Sequence, residues 1–547
     1  MKRYRKWLSV LLAFAMLFAL FAGCAPKSPG GGPEEPDEPV TEWTDFEDAQ
    51  VSNDATSTMF PKFTKLTKLY SVEYDYGSGK VYDAGADSYG EFMTMTAMQG
   101  LIARNGTSTE GIYVNLKRCG GYADNAYDRW LNEMVQYDGV TVEVVEEDTT
   151  KTGDAATPYY QMMDKFKDQV AKTSSGKPGY IVFDQQFEDG KDPEGNLRKV
   201  GSQSVNAACT AAGVTGYLPI NVTDKEMFDA LGYEEALDVS DWTEEQAFDE
   251  FKDEISTEYL SLTPNAYAEN RDLGIALGMF FLDECYADKD FCQDKLSQKF
   301  PAGNGAIMMG WSSQNEGEQI SQDAMYGFGF LCTVYSLNMT VFSSMGHSTF
   351  VQRNSEEDIK ADPDKHYVAF LFTDGDNISW HANDFSFNDG YYGWMVDKEV
   401  RKESPFKMGW TTSMTMADLT PAIMRYEYMK SSPYDYFYAG TSGAEIMYPS
   451  LYGEDNKASL TKLAEQTNAF MARTGIEYTE ILDNNMFDED VLQAYASQPN
   501  IKGGFMLANW DYYVQGGDAH WVDGKPFLGV AESFWSDTTG RVAYRLN

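Results

Sequence analysis

Short apolar runs of strand length alternate with stretches of helical periodicity along most of this chain, and that order restricts its fold more than any other feature. KLYSVEY (Lys68 to Tyr74), GIYVNL (Gly111 to Leu116), TVEVVE (Thr141 to Glu146), GYIVFD (Gly179 to Asp184) and TGYLPI (Thr215 to Ile220) read as strands. EFMTMTAMQGLIARN and SVNAACTAAG, which lie between them, carry apolar residues at helical spacing. Parallel strands need long crossovers, so the alternation predicts an α/β fold with a parallel sheet and covering helices. From about Gly305 the pattern resumes in GAIMMGW, FGFLC, NMTVFS, YVAFLFTDG, KMGWTTS, DYFYAG, YTEIL, GGFMLANW and PFLGVAE. Eight or so strands with intervening helices favour a closed or distorted (β/α) barrel, with an open sheet as the alternative.

The ends of the chain have other characters. MKRYRK leads into an apolar stretch from Trp7 to Ala22 that closes on FAGC, the layout of a bacterial export signal with Cys24 placed for lipidation. About 16 apolar residues fall short of the roughly 20 that span a bilayer, which favours a lipoprotein over an uncleaved anchor. APKSPGGGPEEPDEP follows, too polar and too rich in proline and glycine to pack, and reads as a solvated tether. The expected organisation is therefore a signal at 1–24, a disordered tether at 25–60 and an amino-terminal α/β domain at 61–222. A helical connecting region at 223–300 and a carboxyl-terminal (β/α) domain at 301–547 complete it. In the connecting region, DWTEEQAFDEF offers Asp241 or Thr243 as a helix cap.

Lysine and arginine total 43 against 85 acids, a formal charge of −42, so nucleic acid and anionic polymers are repelled as partners. Five cysteines remain after Cys24, too few for a disulfide framework in a chain this long. On one continuous helix Cys285 and Cys292 would hold their Cα atoms about 10 Å apart, beyond bridging range. No zinc-ligand spacing and no G-x-G-x-x-G are present, so neither a structural zinc site nor a dinucleotide cofactor is expected.

YVAFLFTDGDNISW carries the strongest chemical signal. An apolar run stops at Asp374, Gly375, Asp376 and Asn377, and a parallel strand of this kind delivers carboxylates to the carboxyl-end face of its sheet. The same face should collect Glu316 and Glu318, Glu445, Asp483, and Asn509, Trp510 and Asp511 from neighbouring strand ends. Paired carboxylates can protonate a glycosidic oxygen and attack or activate water, and Trp380, Trp410 and Trp510 offer faces for a pyranose. The plainer alternative is that the DGDN group caps a helix or binds a structural calcium. His381 reads as a hydrogen-bond partner or an acid, and GTSGA at Gly440 to Ala444 is a weak match to a nucleophile elbow at Ser442.

Three segments together resemble one family, the GxGYxYP putative glycoside hydrolases. They are MTAMQGLIARN with GIYVNL, VAFLFTDGDNISW, and SGAEIMYPSLY (Ser442 to Tyr452), where Gly443, Tyr448 and Pro449 agree with the naming motif while Glu445 and Ile446 depart from it. The resemblance spans roughly Lys65 to Trp535 and implies an amino-terminal domain followed by a sugar-hydrolase-type domain.

The sequence-level expectation is a surface-anchored hydrolase of poly- or oligosaccharide without a required cofactor, held to the membrane through Cys24. Its candidate catalytic groups are Asp374, Asp376, Glu445 and Asp511. Asn377, Trp380, His381, Trp410, Tyr448, Trp510 and Glu316 are the candidate substrate contacts. A non-catalytic glycan-binding lipoprotein is the main alternative. A metal-dependent deacylase using Asp374, Asp376 and His381 or His347 is the second.

Overall fold

The computed structural model describes residues 42–191, 197–283, 295–300, 305–311, 316–354, 364, 366–386, 392–393, 396–403, 406–452, 456–508 and 517–533. Cys24, Cys285, Cys292, Asn509, Trp510 and Asp511 lie outside these residues, as do residues 25–41 of the expected tether.

The amino-terminal unit holds two small parallel sheets. In one, β1 (Lys68–Asp75) is flanked by β2 (Glu110–Arg118) and β3 (Thr141–Val144). In the other, β4 (Gly179–Phe183) lies between β5 (Leu218–Asn221) and β6 (Glu234–Asp238). Helix α1 (Ala86–Asn105) is buried along almost its whole length from Tyr89 to Ile102, which is why its sequence shows so little amphipathic contrast. Two of its buried polar residues donate to neighbouring backbone: Thr94 Oγ1 to the Pro219 carbonyl at 2.9 Å and Gln99 Nε2 to the Ile112 carbonyl at 2.9 Å. Gly106, at φ +66°, ends the helix in the left-handed conformation that favours glycine.

The region 223–300 is more than a helical connector. It contains the capped helix α2 (Glu244–Phe251), where Thr243 Oγ1 accepts from the Gln246 N–H and the Gln246 side chain accepts from the Thr243 N–H. It also supplies β6 to the first unit and the strands β7 (Tyr259–Leu262) and β8 (Phe280–Leu282) to the second. Those strands are only four and three residues long, so the polar helices around them dominate the periodicity.

The second unit begins with the parallel run β8-β7-β9-β10, where β9 is Ala306–Gly310 and β10 is Phe328–Cys332. A parallel bridge from Cys332 to Asn377 links it to a second run. That run is β11 (Leu371–Phe372), β12 (Met408–Thr412), β13 (Asp435–Ala439), β14 (Tyr478–Asp483), β15 (Gly503–Ala508), then β17 (Lys525–Gly529) and β16 (Ala519–Val522). All are parallel except β16. Leu260, Leu262, Met308, Phe330, Leu482 and Leu507 meet in one apolar cluster, so the two runs share an interior. Alternate residues such as Ile307, Leu331, Phe437 and Ile481 belong to the larger core on the opposite face. Each fully buried side chain of this kind contributes about 1.5–3 kcal/mol. Among the described residues no ladder closes the last strand on the first.

Two strand expectations change. NMTVFS forms the short helix Met339–Ser343, because Asn338 at φ +59° turns the chain and spends its amide on Val114 N and O and on Gln99. YVAFLFT is a strand only at Leu371–Phe372, and Tyr367 and Val368 lie outside the ladder, 60% and 68% exposed. The tether expected at 25–60 does not reach residue 60 as a disordered segment. Gln50–Ser52 pairs antiparallel with Thr349–Phe350, and Ala49, Met59 and Phe60 are buried, so the chain is anchored to the fold well before residue 60. Cys119, Cys209 and Cys332 are buried, and among the described residues no helix is long and apolar enough to cross a membrane.

Candidate active site

The DGDN segment leaves β11 at the carboxyl end of the parallel run and is fixed there from several sides. The Gly375 N–H donates to Thr411 Oγ1 at 2.6 Å, and that hydroxyl donates to the Phe372 carbonyl at 2.9 Å. A side chain at 375 would overlap the Thr411 carbonyl, so this close passage of two backbones requires glycine. Asn377 Oδ1 accepts from the Ser379 and Trp380 N–H groups at 3.0 and 3.3 Å and from Ser379 Oγ at 2.7 Å, capping the helix Ile378–Trp380. Asn377 therefore orients the loop, as the capping alternative anticipated.

His381 is wholly buried beneath the loop, with Nδ1 2.7 Å from Glu427 Oε1 and Nε2 2.8 Å from the Gly375 carbonyl. Both partners are acceptors, so both ring nitrogens serve as donors in an imidazolium. Burial pulls the His381 pKa down, but the Glu427 carboxylate, the Gly375 carbonyl and Asp376 outweigh it, and the net shift is upward. With both nitrogens committed, His381 holds the loop in place and has no lone pair for a metal or proton transfer to substrate.

Asp374 is exposed at the mouth of the site, while the surrounding wall raises its pKa and His381 opposes that rise. Asp376 is half-buried and points to the strand ends beyond β12. Thr441 Oγ1, just past β13, stands 3.1 Å from Asp376 Oδ2 and 2.7 Å from Glu480 Oε1. One hydroxyl carries one proton, so it can donate to only one of these carboxyls and must accept from the other. Burial settles which. Glu480 is 1% exposed, and burial followed by the nearby Asp376 and Asp374 charges drives its pKa well above the usual carboxylate range, with its contacts to Thr441 and Tyr438 opposing. Glu480 is thus a neutral acid donating to Thr441, and Thr441 donates to the Asp376 carboxylate.

Glu480, Thr441, Thr411 and Tyr438 were not singled out from the sequence. The signal was present in YTEILD, where a glutamate takes an inward position in an otherwise apolar strand, two residues before the core residue Leu482.

Other expected site residues lie elsewhere. Glu445 is 1% exposed, with neither carboxylate oxygen hydrogen-bonded, in contact range of Gly329 in β10. Burial lifts its pKa to about 8, with Lys462 opposing, and no interaction joins it to Asp374 or Asp376. Trp410 is 1% exposed in the core, donating through Nε1 to Asp435 Oδ1 at 2.9 Å, and Trp380 is half-buried and stacked on Phe372 at 5.8 Å. Trp410 therefore offers no face at the carboxylate rim, and Trp380 gives one of its faces to Phe372. Tyr448 is fully buried among Ile446, Leu482 and Leu507. Glu316 opens the helix Glu316–Met325, and its side chain lies outside the described residues. Ser442 is buried at φ +61° and donates to the Met447 carbonyl at 2.8 Å, so it is a turn residue and no nucleophile. Asp483 accepts from the Ser450 hydroxyl and N–H at 2.5 and 2.7 Å, tying the motif segment to β14. His347 is buried beside Asp418 and Arg473, away from the DGDN group. Among the described residues no group of three or more His, Cys, Asp or Glu is placed to hold a metal ion.

The DGDN loop, Thr411, Thr441 and Glu480 all fall in one stretch of chain with a recognisable relationship. Residues 364–545 match the GxGYxYP putative glycoside hydrolase C-terminal domain. The matched stretch carries every carboxylate of the rim. The crystal structure of a putative hydrolase from Bacteroides thetaiotaomicron VPI-5482 is similar across both units, with a TM-score of 0.69 and 22% identity over 88% of this chain and 83% of that one. That likeness establishes a shared α/β fold. No curated protein matches the chain.

The shared Thr441 hydroxyl makes a testable demand. Thr441→Val keeps the shape and removes the link, so the proton on Glu480 and the charge on Asp376 lose their common partner. A loss of about tenfold in kcat is expected, with little change in KM, measured by initial rates on any turned-over saccharide.

Proposed function

We propose that the chain hydrolyses glycosidic bonds at the rim formed by Asp374, Asp376, Thr441 and Glu480. The observation that carries this reading is the hydrogen-bonded sequence Glu480, Thr441, Asp376 with the exposed Asp374 beside it. Environments that push neighbouring carboxyls apart in protonation are how one site supplies both an acid and a base. Asp374, reachable from solvent and with a raised pKa, is the general acid that protonates the leaving oxygen. Asp376, held as an acceptor by Thr441, is the carboxylate that attacks the anomeric carbon or activates water. Glu480 is too buried to touch a substrate and acts as a positioning residue. The match of residues 364–545 to a putative glycoside hydrolase domain supports the same chemistry.

The direct test is release of new reducing ends from a panel of neutral polysaccharides by the full chain. The product anomer, followed by proton NMR, then distinguishes retention from inversion. Measurable binding with no reducing ends after prolonged incubation would leave a glycan-binding protein and end the catalytic reading. The site residues lend less support to a deacylase with His381 or His347 as metal ligands, since neither imidazole is available at the rim.

The export signal closing on Cys24 supports an acyl-anchored location outside the cell. Cys24→Ala is expected to move the protein from the membrane fraction to the soluble fraction in a producing bacterium. An unchanged distribution on fractionation would end that part of the proposal.

A further inference from the structure

We propose that Tyr82, Tyr267 and Tyr335, with Lys80, form a subsite for a neutral saccharide, built jointly by the two units next to the carboxylate rim. The inference rests on the carbohydrate reading above for the identity of the ligand. It goes beyond that reading in assigning part of substrate recognition to the amino-terminal unit.

The three rings come from three separate segments. Tyr82 lies in the turn Val81–Ala84 after β1, Tyr267 follows β7, and Tyr335 follows β10. The ring centroids of Tyr82 and Tyr267 are 6.1 Å apart, and those of Tyr267 and Tyr335 are 5.0 Å apart. All three residues are half-buried and so partly accessible to solvent. Cys332, the last residue of β10, bridges to Asn377, so the loop that carries Tyr335 leaves the sheet beside the DGDN segment.

Tyr335 is the most informative member. Its backbone sits at φ +61°, a left-handed conformation that is costly for an aromatic residue and persists only where the surroundings enforce it. Those surroundings grip it at both ends. Its carbonyl accepts from Tyr122 Oη at 3.0 Å, and its own hydroxyl donates to Tyr267 Oη at 3.2 Å. The Lys80 ammonium stands 5.1 Å from the centre of its ring and 5.9 Å from that of Tyr122.

An aromatic ring fixed in this way loses little freedom when a sugar face stacks on it, and phenol hydroxyls and an ammonium can meet sugar hydroxyls at its edge. The charges around the rings lean negative, with Lys80 and Arg198 set against Asp83, Glu269 and Asp283. A neutral saccharide suits this balance, and suits a chain of formal charge −42, better than an acidic one.

Glycine accepts positive φ freely, so Tyr335→Gly removes the ring without straining the backbone. In the full chain carrying Asp376→Asn, calorimetry with cellohexaose, xylohexaose and maltohexaose, and with hexagalacturonate as the acidic control, measures binding. The neutral probe that binds is expected to weaken by about tenfold in Tyr335→Gly and in Tyr267→Ala. In the otherwise unaltered chain the same substitutions should raise KM and leave kcat in place. Turnover with unchanged KM in both variants would overturn the subsite while leaving the catalytic proposal standing. Binding that depends on Tyr335 without turnover by the unaltered chain would uphold the subsite and remove catalysis. Should Tyr335→Gly fail to fold, Tyr267→Ala decides alone. Preference for hexagalacturonate, or no binding by any probe, would overturn the inference.

Discussion

Asp376→Asn should lower kcat by about a thousandfold or more while leaving saccharide binding and folding intact. The substitution keeps the size of the side chain and an oxygen for Thr441 to donate to, so the loop geometry is preserved. What disappears is the negative charge that must build a bond to the anomeric carbon or take a proton from water. The DGDN loop is fixed by Gly375, Asn377 and His381 through hydrogen bonds in which the Asp376 side chain takes no part. A melting temperature within a few degrees of the parent would exclude collapse as the cause. Asp374→Asn should also be slow, but for a different reason, the loss of the proton for the leaving oxygen. It should therefore be least impaired on substrates whose leaving group needs no protonation, such as a nitrophenyl glycoside. Full activity in Asp376→Asn would remove that residue from the mechanism.

Glu445→Gln should make the protein markedly more resistant to urea at pH 8.5 than the parent, with the gain shrinking towards pH 5. The folded-state pKa of Glu445 is about 8 against an ordinary value of 4.5, and the cause is burial, which Lys462 only partly offsets. A group raised in this way contributes its full share of stability below the unfolded value and loses it as pH climbs through the folded value. The window therefore runs from about 4.5 to about 8. At roughly 1.4 kcal/mol per unit, the loss over that window is on the order of 3–5 kcal/mol. Glutamine does not ionise and should escape it. The measurement is the difference in unfolding free energy between variant and parent at the two pH values. A difference independent of pH would mean that Glu445 is not a neutral, unpartnered acid in the folded protein.

Much of this architecture was readable beforehand, and the exceptions have physical reasons. Strands such as GYIVF and AIMMG announced themselves because strands covered on both faces are continuously apolar. The DGDN loop was legible because an apolar strand cannot continue through two aspartates. Partnership across the site was harder. Glu445 and Asp376 lie in adjacent strand-end segments, yet the glutamate turns into the space beside Gly329, a choice made by packing between elements distant in sequence. Glu480 was hidden because a run like YTEILD reads as buried whether or not one inward residue is charged. The tryptophans were assigned to the rim by their place near strand ends. Trp410 is directed instead to the helical side of the sheet, where Asp435 takes its N–H. The tyrosines around Tyr335 could not be grouped at all from sequence, since 82, 267 and 335 come together only through the packing of two units.

The meeting of Glu445 and Gly329 also reaches into the history of the motif. A methyl group on residue 329 would overlap Glu445 Oε2, so the glutamate in the naming segment is tolerated only because β10 carries no side chain at that point. A chain with glycine in place of Glu445 would leave room at residue 329 for alanine or serine. These two sites, more than a hundred residues apart, should consequently drift as a linked couple through the lineage.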